Sequence, residues 1–595
     1  MKKASILCFV LALFGTGLAR AESAAGGPAA KLPPEVVVFA EVSDLLSAEA
    51  KLMDFVQQIA PEAPMERFTN RMPEDVFRTT DPSTVDMSKP LQVVLLAPPY
   101  LHEATAVFSV TDAARYLDSL EPALTKQRDE GAVHVYARGG TGRPLVIGIE
   151  GNRAVMGRNA EAVGKVLALV KAGSLSAGTV FQGSDAGGMV RLKQLLGALD
   201  AEGKNPFTVA KIVGGQFAGM GAPGGMDMRG IVNAYVDAAE SLALQMETVS
   251  GRFSMDLDAA TAAVRVEPVA GSRLAKYMAE MPGGDLDLLQ YLPADSIFVF
   301  AGHIGDLSPL VDWYGKVLAA MAPAAAGPPG KGLLDAARQS LAYMGNEVAF
   351  SVSSGGEGPL LLSSAMKVKD AQGMERLLQD LPARMAEFRS VQEQMGVVTN
   401  LKVTPKAVTY DGLDITEMEF QYEFHPRPGP LGAMMAAQQK AAVTAFWGTD
   451  VKGYGAFRGD TYFYTQGTGA LDALKAMLDG KVKPAAGSQQ MAAALKGMPP
   501  KPVAAGYISL QGAATFALSM VRTMTSQMQG QPGQPGMPAI PKVQFAEAPP
   551  EGFAAWVAEG GAFETQVRIP LQAVVSVVDG FRQMQRPQEP FMQKP

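Results

Sequence analysis

Two stretches of this chain open in the same way. LPPEVVVFAEVSDLL begins at Leu32 and LPADSIFVFAGHIGDLS begins at Leu292. Each sets Leu-Pro and an acid ahead of a β-branched and aromatic run, then reaches Asp-Leu and a segment with helical spacing. Such a repeat constrains the fold more than composition does, because each copy must bury the same apolar face.

The copies continue in parallel. SKPLQVVLLAPP (from Ser88) and GNEVAFSVSS (from Gly345) read as the next strand. TAVFSVTDAARYLDSLEP (from Thr105) and LLLSSAMKVKDAQGMERLLQDLP (from Leu360) switch from period-two alternation to helical spacing at Asp112 and Asp370. Those two acids are expected to cap helix starts by accepting bonds from free amides. GNRAVMGRNAEAVGKVLALVKAG (from Gly151) pairs with GDTYFYTQGTGALDALKAMLDGK (from Gly459), each a turn, a short strand and an amphipathic helix. Weaker matches join Ser176 onward to Pro502 onward, and Ala262 onward to Phe563 onward. The longer second copy holds two extra helical segments, from Pro382 and from Pro430.

These patterns predict an α+β fold of two tandem related modules, each a mainly antiparallel sheet backed by amphipathic helices. Module 1 is expected over 32–290, with half-units at about 32–174 and 175–290. Module 2 follows over 291–585, with half-units at about 291–484 and 498–585. Gly/Pro stretches from Gly214, Ala322 and Gln529 read as mobile surface loops.

The first residues speak to compartment. Lys2 and Lys3 precede a short apolar run, and Ala19-Arg20-Ala21 places small residues where a signal peptidase reads. Residues 1–21 are expected to be a cleaved signal peptide, 22–31 a linker and 586–595 a tail. Cys8, the single cysteine, lies inside the apolar run, so the mature chain would be cysteine-free and held by its own core. Loss of Lys2, Lys3 and Arg20, with no acid lost, takes the net charge from −7 to −10. With no basic stripe, nucleic acid is not an expected partner. No later segment offers the apolar length of a membrane span. A periplasmic location is expected, with full secretion as the alternative.

No catalytic motif survives its context. GMGAPG (Gly219–Gly224) spells a dinucleotide fingerprint without the strand and helix that would make it one. Ser364 and Lys367 have the S-x-x-K spacing, but in a strand, where residues three apart face opposite sides. His102, His134, His303 and His425 are scattered and do not correspond between modules. Methionine is the unusual enrichment: Met520, Met524 and Met528 fall at i, i+4 and i+8. That spacing marks one stripe of a helix, a candidate adaptable contact surface for an apolar ligand.

The signal sequence, the Leu-Pro-x-acid strand openings and the V-x-D-A strand-to-helix turns together resemble uncharacterised exported bacterial proteins built from degenerate repeats, with domains of unknown function. The resemblance implies export and repetition and transfers no catalytic residue. The expectation is a non-enzymatic binding or interaction protein without a cofactor, taking an apolar or amphiphilic ligand or an envelope protein. An envelope hydrolase with a site assembled from distant residues and a purely structural component are the alternatives.

Overall fold

The computed structural model describes residues 31–585 apart from 60, 63–67, 139–143, 177–179, 219–227, 322–326, 355–358, 426–429, 448–450, 529–542 and 559. The expected signal peptide and tail, most of the expected linker, and the GMGAPG letters therefore lie outside the described residues.

Its strands are β1 (Val36–Val42), β2 (Leu91–Leu96), β3 (Thr105–Ser109), β4 (Leu124–Glu130), β5 (Val133–Arg138), β6 (Leu145–Glu150), β7 (Arg153–Gly157), β8 (Ala186–Val190), β9 (Met246–Met255) and β10 (Ala259–Pro268). After these come β11 (Phe298–His303), β12 (Met344–Ser354), β13 (Leu360–Val368), β14 (Val397–Tyr410), β15 (Leu413–Phe424), β16 (Val451–Arg458), β17 (Thr461–Gly467), β18 (Ala504–Ile508), β19 (Glu551–Val557) and β20 (Phe563–Pro570). Helices are interspersed among them, though β4 to β7 follow one another without one, so the fold mixes α and β, with antiparallel sheet.

The chain packs as two compact units, each discontinuous in sequence. Unit 1 holds the described residues up to Asn205, with Leu242–Lys276 and Val557–Leu571. Unit 2 holds Pro206–Ser241, Tyr277–Trp556 and the residues from Gln572. Residues 206–241 and 277–290, within the expected span 32–290, thus fall in unit 2, whereas a second segment, 557–571 from the expected span 291–585, falls in unit 1. For the second segment the reason is a ladder: β20 pairs with β10 from Ala259↔Pro570 to Val266↔Phe563.

Unit 1 is an antiparallel sheet in the order β4–β5–β6–β7–β3–β2–β1–β8–β9–β10–β20. One face of the sheet is its main core, where Phe39, Val94, Val107 and Val155 pack on the helix Ala160–Lys171 through Val163, Val166 and Leu167. That helix starts where Asn159 accepts bonds from the amides of Glu161 and Ala162. On the opposite face, over β3, β6 and β7, a second cluster joins Phe108, Ile147 and Ala154 to Phe77 and Tyr116.

Unit 2 is ordered β14–β15–β16–β17–β13–β12–β11–β18–β19, again antiparallel. Val299, Ala301, Ala349 and Phe463 face Leu474, Met477 and Leu478 of the helix Ala470–Leu478. Across the sheet, Met374 and Leu377 of the helix Ala371–Glu387 cover Leu401, Met418 and Tyr462.

Both expected caps form: Asp112 accepts from the Arg115 amide and Asp370 from the Gly373 amide. The stretch from Ala322 differs from expectation. Its described part is no loop but the start of a helix, Pro328–Tyr343, because proline is suited to a first turn whose amides need no intrahelical acceptor. Similarly, Gly214 lies within the helix Pro206–Ala218, where a side chain would strike Val232 of the helix Met228–Ala243.

Close packing makes one glycine of the unit 1 core sensitive. A Cβ on Gly187 would enter the ring of Phe181, which stacks on Phe39 at 6.2 Å. Gly187→Ala is expected to cost about 1–3 kcal/mol through overpacking. Urea unfolding of the mature chain measures this, and an unmoved midpoint would contradict the packing.

Candidate functional site

Period-two geometry sends alternate residues of each strand to opposite sheet faces, which makes the register of unit 1 decisive. On β1, Phe39 enters the main core while Val38, Ala40 and Val42 point the other way. Cross-strand neighbours continue that second face. Ala40 lies opposite Val93 on β2 and opposite Gly188 on β8. Gly188 lies opposite Gly251 on β9, and Gly251 opposite Val264 on β10.

Together these residues line a cavity of about 280 Å³, with Val190 and Val249 toward one end and Ala186 and Phe253 toward the other. The floor is backbone, since Gly188 and Gly251 sit side by side with no side chain between cavity and ladder. A Cβ placed on Gly251 would meet only the Ala263 carbonyl, at 3.8 Å, an ordinary contact. The walls are β-branched, stiff and apolar. Val38, Val42, Val93, Val190, Val249, and Val264 are half-buried rather than buried.

Glu41, Met189, Ser250 and Arg252 also border the cavity, but strand alternation turns their side chains to the reverse face, which carries the polar groups. Gln92 donates from Nε2 to Glu41 Oε2 at 2.7 Å, and Arg153 Nη2 donates to Gln92 Oε1 at 2.8 Å. Farther along, Arg252 Nη2 pairs with Glu564 Oε1 at 2.8 Å, and Arg265 lies 3.8 Å from the other carboxylate oxygen. Glu41, Gln92 and Glu564 are 2%, 0% and 6% exposed, less than the valines of the cavity face. Burial pulls the Arg252 and Arg153 guanidinium groups below their ordinary values, partly offset by Glu564 and Glu41 respectively. Around the cavity, then, the usual inside-out distribution is inverted: charge is buried on one face and aliphatic surface is half-exposed on the other.

The methionine stripe lies in unit 2, on the helix Leu510–Met528. Met520 is half-buried there, while the side chains of Met524 and Met528 lie outside the described residues. On the same helix, Phe516 packs against Phe446 at 5.5 Å, and Ser519 and Thr523 border a separate depression near Thr444 and Lys452. The stripe and the unit 1 cavity belong to different units, so the residues singled out by sequence are not those that build the cavity. Sequence reasoning missed Ala40, Gly188 and Gly251. The available signal was the small-residue run Ala186-Gly187-Gly188 inside a strand pattern, which marks close approach of something to the backbone.

Ser364 and Lys367 lie on β13, as expected of a strand. Lys367 pairs with Asp460 at 2.9 Å, and Ser364 donates to the Tyr464 carbonyl at 3.3 Å. Among the described residues no group of three or more His, Cys, Asp or Glu could hold a metal ion, and no helix is long and apolar enough to cross a membrane.

No protein-family model matches this chain, and no curated protein matches it. Among solved structures, crystal form IV of TP0453 is similar at 10% identity, covering 41% of this chain and 83% of that one, with a TM-score of 0.21. Crystal form I of TP0453 is similar at 9% identity, covering 42% and 82%, with the same score.

Unit 2 contributes a perturbed carboxyl. Glu551, 5% exposed, accepts from the Leu510 amide at 3.1 Å where the helix Leu510–Met528 begins, and its Oε1 has no hydrogen-bond partner among the described residues. Burial pushes this carboxyl up to about 7. An unfolded glutamate releases its proton near pH 4.3, so between roughly pH 4.3 and 7 the folded chain alone holds that proton. Stability should therefore fall as pH rises through this window. Glu551→Gln, which keeps the neutral shape, should flatten that slope and leave the chain more stable above pH 7 by on the order of 3 kcal/mol. Urea unfolding of both chains at pH 5 and pH 8 tests this; parallel pH profiles would exclude it.

Proposed function

We propose that this chain is a non-enzymatic binding protein of the periplasm, exported through residues 1–21, whose unit 1 cavity receives an apolar or amphiphilic ligand. The observation that carries the reading is the inverted sheet around β1, β8 and β9. Burying Glu41 and the Arg252–Glu564 pair costs desolvation energy, while the valines of the cavity face leave part of their transfer free energy unrealised. A ligand in the cavity recovers the second term. An apolar pocket beside backbone that is already hydrogen-bonded suits a molecule with no polar atoms in its buried part, leaving any headgroup outside.

The reading includes two tandem related modules. Supporting it, the ladder β4–β5–β6–β7–β3–β2–β1–β8–β9 of unit 1 has the same connectivity as β14–β15–β16–β17–β13–β12–β11–β18–β19 of unit 2. The matched sequence blocks fall on corresponding strands: Leu32 and Leu292 open β1 and β11, and Ser176 and Pro502 precede β8 and β18.

Native mass spectrometry of the mature protein taken from its own envelope should find a copurifying apolar molecule, or a thermal shift should appear across a panel of fatty acids, phospholipids and aromatic compounds. Gly251→Phe, which has room for its Cβ, should fill the cavity and weaken that binding by about tenfold or more, with the fold retained. Absence of a ligand, of a copurifying envelope protein and of any thermal shift would sink the reading.

A further inference from the structure

The two units treat the same sheet position in opposite ways. In unit 1 the row across the cavity floor is Val93, Ala40, Gly188 and Gly251. By ladder order and register, the corresponding row of unit 2 is Phe350, Phe300, Gly506 and Phe553. One step along, Val38 of β1 corresponds to Phe298 of β11. Where unit 1 has small and β-branched residues around an empty volume, unit 2 has four phenylalanines.

Those rings form one layer. Phe300 and Phe553 stack at 6.2 Å with 18° between planes, and Phe298 and Phe553 at 6.1 Å with 21°. Phe350 lies 5.4 Å from both Phe298 and Phe300. Gly506 lets the layer settle on the backbone, since a Cβ there would strike the Val299 carbonyl and the Phe553 ring. Gly188, its counterpart, keeps the same flat floor in unit 1, yet there no phenylalanine occupies the central row.

We propose that the unit 1 cavity is a site for one compact, ring-bearing apolar molecule, and that Phe298, Phe300, Phe350 and Phe553 fill the equivalent site of unit 2 with the chain's own rings. The proposal rests on the reading of unit 1 as a binding unit and adds the ligand class. A glycine floor admits a planar face to within contact distance of the backbone. Stiff valine walls hold a fixed width, whereas a site for varied flexible chains favours adaptable side chains such as methionine. Met189, the methionine of the central strand β8, points instead into the core. Phe253, at one end of the cavity, offers a ring for offset or edge contact with a second ring.

The test uses the full mature chain with two probes, the ring-bearing N-phenyl-1-naphthylamine and the straight-chain decanoate. The naphthyl probe should saturate at one molecule per chain and bind about tenfold more tightly than decanoate. Gly251→Phe should lower its affinity by about tenfold or more. The double substitution Phe300→Ala with Phe553→Gly should open a second site and raise the stoichiometry to two. Because the double variant could lose its fold, the single variant and the wild-type stoichiometry stand as independent readouts. Decanoate binding as tightly as the naphthyl probe, and weakened by Gly251→Phe, would overturn the ring class while leaving the binding reading intact. Naphthyl binding untouched by Gly251→Phe would remove the cavity as its site. Binding of neither probe would overturn the proposal; if no lipid, aromatic compound or envelope protein binds either, the parent reading falls with it.

Discussion

β1 is hydrogen-bonded on both edges, to β2 and to β8, and unit 1 depends on that double ladder. A strand fixed on both sides cannot slip by one residue without turning every side chain to the wrong face. Its register places Phe39 in the core and Ala40 on the cavity floor, so one strand supports the packing of unit 1 and shapes its candidate site. β11 has the same position between β12 and β18, with Val299 in the core and Phe300 on the opposite face.

The polar groups behind the cavity are the costly part of this arrangement. Buried ion pairs repay their desolvation only when geometry is good and the remaining hydrogen-bonding capacity is used. Glu41, Gln92 and Arg153 answer this in part by chaining across β1, β2 and β7, although Arg153 Nε has no hydrogen-bond partner among the described residues. Arg252, Glu564 and Arg265 do so across β9, β20 and β10. Each chain links strands distant in sequence, which ties register to charge as well as to shape. A slip of β20 against β10 would strand Glu564 away from both arginines.

Much of the scaffold was legible from local chemistry. Asp112 and Asp370 could be read as caps because a carboxylate ahead of helical spacing answers a need of the next few amides. Ser364 and Lys367 could be dismissed as a catalytic pair because strand geometry separates residues three apart. Local reading failed where two local rules competed. Pro328 and Pro329 read as loop formers, although proline also suits a helix start. The methionine stripe is helical, as its spacing requires, and lies in unit 2, while glycine and alanine in strands, the residues that make a cavity, look like weak strand formers.

By itself, the amino-acid sequence determined the alternation of strands and helices, their caps, and the repetition of strand openings at Leu32 and Leu292, because each follows from the spacing of a few neighbouring residues. Only the tertiary structure decided which face of β1 is core and which is cavity. Val-Phe-Ala-Glu-Val alternates equally well with either face inward, and the choice is made by partners far along the chain: Phe181 above Gly187, Gln92 beside Glu41, and Glu564 beside Arg252. The difference between the units was also hidden in one dimension. Ala40 and Phe300 each look like an unremarkable strand residue until the ladders set Gly251 beside one row and Phe553 beside the other.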